Sequence, residues 1–310
     1  MNEKNAGILD EERGESYSPP VSYSVAITPG DIDIFKLISE YRFLHREHIS
    51  ALTGRDPKRV HRRLYKLLDA DYLSRIVLPQ QKHIYALGKA ALQVLVEEGS
   101  ADLELLDKRL RYHELKPFFL NHEMMIVDFH VTLALATRGS NLRLVSWREG
   151  SGLYDSVTVA DQNGLVKLPI RPDAFFTIED SRRPVGANRF HFFLEADRAT
   201  TRDHARFMQK IRGYWHYLER GLHERKFGIK NFRVLVVTKT SERAENLARA
   251  TNDILREGAR KHFFFTWSEN FSLEYPSPVL KNVYISARTA GTDCRHPLVP
   301  PPPLQPKPVE

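Results

Sequence analysis

The strand-like run "RFHFFLEADR" (189–198), the long helical stretch after it and the apolar run "FRVLVVTKT" (232–240) constrain this chain most. A strand, a crossover helix and a second strand lay two strands parallel in one sheet with a helix on its face. Around this unit the pattern continues in both directions. A helix, "NHEMMIVDFHVTLALATRG", precedes the strands "NLRLVSWREG" and "LPIRPDAFFTIED". After the crossover come the helix "SERAENLARATNDILREGAR" and a last strand, "KHFFFTWSE". The order α-β-β-β-α-β-α-β predicts a mixed α/β sheet flanked by helices.

The N-terminal part follows another pattern. Apolar residues from Ile32 to Tyr41 predict a first helix, and "LHREHISALTG" predicts a second that Gly54 closes. Asp56 and Pro57 form an N-cap and first-turn proline for a third helix, "PKRVHRRLYKLLDA". The runs "YLSRIVL" and "KHIYALG" then predict two short strands, and "KAALQVLVEEG" a further helix. Three helices and a small hairpin describe a winged helix-turn-helix. The expected division is therefore a disordered lead over 1–30, a winged-helix domain over 31–99 and a connector over 100–116. An α/β domain over 117–275 and a proline-rich extended tail over 276–310 complete it. Overall the chain is α+β.

Composition narrows the function. The 310 residues carry a net charge of +7, which suits an anionic partner, double-stranded DNA first among them. Between Arg55 and Lys66 stand six Lys or Arg and one acid. On a helical wheel Val60, Leu64, Leu67 and Leu68 share the face that packs inward. Arg59, Arg62 and Lys66 lie opposite, flanked by Lys58 and Arg63. The second helix of a helix-turn-helix pair enters the major groove, so these five residues are the expected DNA contacts. Arg75 and Lys82 on the hairpin would touch the adjacent backbone as a wing does. The alternatives are a solvated basic face and a winged helix that contacts protein.

The one cysteine, Cys294, excludes an internal disulfide and fits a reducing, cytoplasmic location. No apolar run reaches the roughly 20 residues a membrane helix needs, so no membrane association is expected. The acidic, polar N-terminus is unlike a secretory signal. No glycine-rich phosphate loop and no Gly-x-Ser-x-Gly elbow occurs, which argues against nucleotide-binding and serine-hydrolase chemistry. The thirteen histidines show no metal-ligand spacing and read as core or surface residues.

The chemistry-bearing residues cluster around "FHFFLEADRA". Strand alternation puts Glu195 and Asp197 on one face. If the strand bearing Asp173 pairs with that of Glu195, the two carboxylates converge. Mg²⁺ prefers such oxygen ligands, so Asp173, Glu195 and Asp197 form a candidate metal set, with Glu123 as a further carboxylate. Lys210, on the crossover helix, could stabilise charge on a phosphate. The other reading is a structural salt-bridge cluster in which Asp197 pairs with Arg198, Arg202 or Lys210.

Together these elements resemble the PD-(D/E)XK nuclease core. Within that group, "RPDAFF", "FFLEADRATT" and "KIRGYWHY" are similar to the replication-relaxation proteins of plasmids and integrative elements. "RRLYKLLDADYLSR" and "HIYALGKAAL" resemble that family's winged-helix half. The resemblance covers most of residues 31 to about 270. It implies DNA binding in replication or relaxation, with Asp173 as the motif aspartate and Glu195 as the motif acid. The motif lysine position is Asp197 here, and Lys210 stands as its candidate substitute, completing a candidate catalytic set of Asp173, Glu195 and Lys210. Three functions follow as expectations. The first is a DNA-binding protein with a nuclease-like scaffold. The second is a Mg²⁺-dependent endonuclease or nickase. The third is a winged-helix transcriptional regulator whose second domain forms a homodimer.

Overall fold

The computed structural model describes residues 25–100, 115–161, 164–198 and 204–303. Most of the expected lead, the connector and the last seven residues lie outside these. The N-terminal unit starts with helix α1 (Pro29–Tyr41), a short strand β1 (Leu44–His45) and helix α2 (Arg46–Thr53). Helix α3 (Pro57–Asp69), strands β2 (Leu73–Ile76) and β3 (Ile84–Leu87), and helix α4 (Lys89–Glu97) follow. The sequence places α3 as predicted: the Asp56 carboxylate accepts from the Arg59 amide at 2.9 Å, and Pro57 occupies the first turn. Gly54 ends α2 at φ +66°, a conformation glycine adopts without steric cost. Gly88 starts α4 because its backbone passes so close to Asp71 that a Cβ there would lie 2.2 Å from the Asp71 carbonyl oxygen. Strand β1 lies inside the stretch read as the start of α2. It pairs antiparallel with β3, giving a three-stranded sheet in the order β1-β3-β2.

Helix α5 (Pro117–Thr137) joins this unit to the rest. Its Leu120, Met124, Val127 and Val131 sit in the core formed by α1–α4. Met125, Ile126, Phe129, Leu133 and Ala136, on its other side, pack on the large sheet. Burial on two sides explains why its apolar residues run around the helix and leave no polar stripe. The two cores are therefore continuous through one helix. The expected boundary at residue 117 marks where this helix begins, but not a break in packing.

The large sheet holds six strands in the order β11-β10-β9-β8-β7-β4. These are β4 (Leu142–Glu149), β7 (Ala174–Asp180), β8 (Arg189–Asp197), β9 (Arg233–Thr238), β10 (Phe263–Trp267) and β11 (Ile285–Ser286). Strands β8, β9 and β10 run parallel, and the remaining pairs are antiparallel, so the fold is α/β with a mixed sheet. Helix α6 (His204–Glu219) makes the predicted crossover from β8 to β9, with α7 (Leu222–Phe227) after it. Helices α8 (Ser241–Ile254) and α9 (Glu257–Arg260) link β9 to β10.

Two features depart from the expected order. The run "LPIRPDAFFTIED", read as one strand, is two strands broken at Arg171-Pro172-Asp173. Proline has no amide to donate to a ladder, and here it marks the corner. The first half, β6 (Gly164–Ile170), forms its own antiparallel hairpin with β5 (Asp155–Asp161), and that hairpin packs on α6. The second departure corrects the expected tail from residue 276. Val279, Tyr284, Leu298 and Val299 are buried against the sheet, and β11 is its edge strand. Arg233 donates to the Leu298 carbonyl at 2.8 Å, and Arg183 to those of Pro300 and Pro301. Two 3-10 turns, Ser277–Leu280 and Ala287–Thr289, interrupt this strap, and its apolar residues dock it on the core.

Candidate functional site

The basic helix splits by partner. Lys58, Arg59, Arg62 and Lys66 are exposed on α3, and none makes an ion pair among the described residues. Arg63 turns the other way. Its guanidinium donates to both carboxylate oxygens of Asp31, at 2.7 and 2.5 Å, and to the Ala26 carbonyl at 2.8 Å. Asp31 is 1% exposed, so Arg63 is held by a buried partner and lies outside the exposed basic row. Burial pushes the Asp31 carboxyl up, but the hydrogen bonds from Arg63 and Thr28 outweigh it and hold it below the ordinary carboxylate range. Arg55, the first cation of the run, is likewise committed to the Gly30 carbonyl and Asp33.

Arg75 on β2 is exposed and stacks over Tyr65 of α3, 5.7 Å from the ring centroid. Lys82, in the turn between β2 and β3, lines an open groove with Arg46, His61 and Tyr65. Arg46 and His61 also line the cleft beside Lys58 and Arg62. The flank of α3 and the hairpin turn thus share one continuous polar surface. Arg46 was not expected there, because it reads from sequence as an ordinary residue of α2.

The acidic residues come together as the strand argument required. Strands β7 and β8 pair antiparallel with Ala174 opposite Leu194, which sets Asp173 beside Glu195 at the strand ends. The Asp173 amide donates to the Leu194 carbonyl at 3.0 Å, and its Oδ2 accepts from the Ala196 amide at 2.7 Å. Its Oδ1 lies 3.2 Å from Nε2 of His122 on α5. Glu195 is 3% exposed. Its Oε1 accepts from the Tyr214 hydroxyl at 2.5 Å, and its Oε2 from the Lys210 ammonium. Lys210 and Tyr214 are four residues apart on α6, so both reach the sheet from one helical face. Each oxygen of Asp173 and Glu195 therefore faces a protein donor, and a divalent cation entering here would have to displace Lys210 or His122. Among the described residues, no three His, Cys, Asp or Glu side chains are grouped to hold a metal ion.

Asp197 leaves this group sideways. Arg243 of α8 grips both of its oxygens, at 3.3 and 3.1 Å. Of the expected partners, Lys210 bonds instead to Glu195, the Arg198 Nη1 is buried with no hydrogen-bond partner, and Arg202 lies outside the described residues. Glu123 is not a member of the set either. It pairs at 3.3 Å with Arg42, at the C-terminal end of α1. A second bridge to α5 comes from α2, where His48 lies 2.9 Å from Asp128.

Electrostatics favour protons within the network. Burial lifts the Glu195 carboxyl above its ordinary pKa against the opposing charge of Lys210, and Asp173 lifts it further. Burial disfavours the Lys210 ammonium, but Glu195, Asp173 and Asp197 outweigh that and raise its pKa. His122 follows the same logic: burial lowers it, and Asp173 more than restores it, so its pKa is raised.

A family model described as replication-relaxation matches residues 35–231. The chain belongs to the replication-relaxation family. No curated protein and no solved structure matches it. The family span runs from α1 through α7 and contains α3, Asp173, Glu195, Asp197, Lys210 and Tyr214. Arg243 lies beyond it, as do β9, β10 and the C-terminal strap, which complete the sheet. Tyr214 and His122 escaped sequence reasoning for different reasons. The i, i+4 spacing from Lys210 was a signal for Tyr214, whereas the approach of His122 from α5 has no local pattern.

Proposed function

We propose that this replication-relaxation protein binds duplex DNA during replication or relaxation of a plasmid or mobile element. Helix α3 is the recognition helix of a winged helix-turn-helix, and the β2–β3 hairpin is its wing. The observation that carries this reading is the row Lys58, Arg59, Arg62 and Lys66. These cations are exposed, without ion pairs among the described residues, on a helix whose opposite face is buried. Four long cations on one helical face suit the phosphates and guanine edges of a major groove. The α/β domain, a PD-(D/E)XK-like scaffold in this reading, adds contacts or mediates assembly.

The test is duplex binding by the full chain over a range of salt. Arg59→Ala with Arg62→Ala should weaken binding and lower the magnitude of the slope of log K against log salt by about 2, one unit per lost phosphate contact. An unchanged affinity and slope would remove α3 from the interface.

One observation favours a second reading, a Mg²⁺-dependent endonuclease: Asp173 stands beside Glu195 at adjacent strand ends. Nicking of supercoiled plasmid with Mg²⁺ or Mn²⁺, lost in Asp173→Asn, would establish it. The commitment of all four oxygens to protein donors weighs toward the scaffold.

A further inference from the structure

Among the described residues, the cleft beside the carboxylate network carries more cation than its acids consume. It is lined by Phe118 and His122 of α5, Arg198 at the end of β8, and Arg206, Phe207 and Lys210 of α6. Glu195 and Asp197 also border it, but their charges are answered within the protein. Lys210 and Tyr214 hold Glu195, Arg243 holds Asp197, and His122 and the Ala196 amide hold Asp173. Two cations remain. The Arg198 Nη1 is buried with no hydrogen-bond partner. Arg206 is exposed and makes no ion pair among the described residues. A buried guanidinium nitrogen without an acceptor is unfavourable until a ligand oxygen supplies one.

The rim adds an aromatic surface. Phe118 is 71% exposed, although it stands in the first turn of a helix whose other apolar residues are mostly buried. An open ring beside two guanidinium groups offers a base a stacking face and its phosphate two charged donors. A small-molecule site is the less fitting occupant, because the cleft is open and not enclosed.

From this we infer that the cleft between α5, β8 and α6 is a metal-free seat for single-stranded DNA. Arg198 and Arg206 hold a backbone phosphate, and Phe118 stacks on an adjacent base. The phosphate occupies the side of the cleft away from Asp173 and Glu195, whose oxygens stay with Lys210, Tyr214 and His122. The inference rests on the reading of this chain as a DNA-binding protein, but it assigns unpaired strand to a surface separate from α3. A protein that holds duplex on one unit and an opened strand on the other would stabilise locally melted DNA.

The test uses the full chain, EDTA, low salt and two labelled probes: an oligothymidine of about 12 nucleotides and a duplex. Anisotropy should show that Arg198→Ala with Arg206→Ala weakens oligothymidine binding at least about tenfold, while duplex affinity stays within about threefold. Phe118→Ala, at a position too exposed to endanger folding, should weaken oligothymidine binding about fivefold or more. Arg59→Ala with Arg62→Ala should do the reverse, lowering duplex binding and sparing the oligothymidine. Unchanged oligothymidine binding in both cleft variants overturns the seat and leaves the α3 reading intact. Oligothymidine binding that appears only with Mg²⁺ also overturns it. Duplex binding that is absent, or indifferent to the α3 substitutions, overturns the α3 reading itself.

Discussion

Lys210 places its ammonium on the Glu195 carboxylate, from the crossover helix to the end of the strand that precedes it. Glu195 is almost wholly enclosed, so this contact decides whether the sheet end carries a buried bare charge or a neutralised one. A buried pair contributes little net stability over an apolar one, but removing a single partner leaves the other uncompensated. The Lys210 side chain keeps 37% of its surface in solvent, which screens part of that loss. Lys210→Ala should therefore cost about 2 kcal/mol in urea unfolding at neutral pH. Adding Glu195→Gln should recover about half of that, since the amide needs no counter-charge. A loss in the double variant equal to the sum of the losses in Lys210→Ala and Glu195→Gln alone would show that the pair is not coupled.

Arg62 and Arg63 are neighbours in sequence and opposites in the structure. Arg63 neutralises Asp31 inside the N-terminal core, while Arg62 reaches solvent. Arg63→Ala should destabilise by about 3 kcal/mol, because it leaves the buried Asp31 carboxylate without its cation. Arg62→Ala should stay within about 0.5 kcal/mol of the parent while weakening DNA binding. Chemical denaturation of the two variants separates these roles. Equal stability would put Arg63 back on the face proposed to bind DNA.

The contrast also shows what a sequence makes legible. Helix α3 is readable because its cap, its proline and its apolar face are all local signals within one stretch. The approach of Asp173 to Glu195 is readable because strand alternation and antiparallel pairing fix which side chains meet. The partner of Arg63 is 32 positions away, and no local pattern marks it. Arg243 reaches Asp197 across 46 positions, after the chain has crossed β9. The β5–β6 hairpin was hidden because the apolar runs on either side of Arg171-Pro172-Asp173 read as one strand. In the C-terminal strap, proline density masked the apolar residues spaced among the prolines. Element types follow from short-range chemistry, whereas which charged groups meet depends on the completed sheet.

The strap makes a direct prediction. A chain ending at residue 275 loses Val279, Tyr284, Ile285, Leu298 and Val299 from the core, together with the carbonyls that Arg183 and Arg233 hold. Burial of each such side chain contributes about 1.5–3 kcal/mol, so the sum rivals the stability of a whole domain. The truncated chain should lose cooperative unfolding or fail to stay soluble, as read by far-UV circular dichroism during a thermal scan. Normal two-state unfolding would return residues 276–303 to the status of a dispensable tail.

The last prediction concerns pH, with His122 as the reporter. Its folded pKa is raised above the ordinary value of 6.5: burial opposes the charge, but the hydrogen bond and charge of Asp173, helped by Glu123, outweigh it. A histidine whose pKa rises on folding binds its proton more tightly in the native state. Its contribution is therefore fully present below the unfolded value and is lost as pH rises through the folded one. With His122 23% exposed, the contribution should be about 1 kcal/mol or less. The gap in melting temperature between the parent and His122→Gln should be widest below the ordinary histidine value of 6.5 and should narrow as pH rises above it. Lys210, charged throughout that window, repels His122 and limits the gap without reversing its sign. A gap that widens with pH would mean that His122 is neutral in the folded protein and that Asp173 holds some other cation.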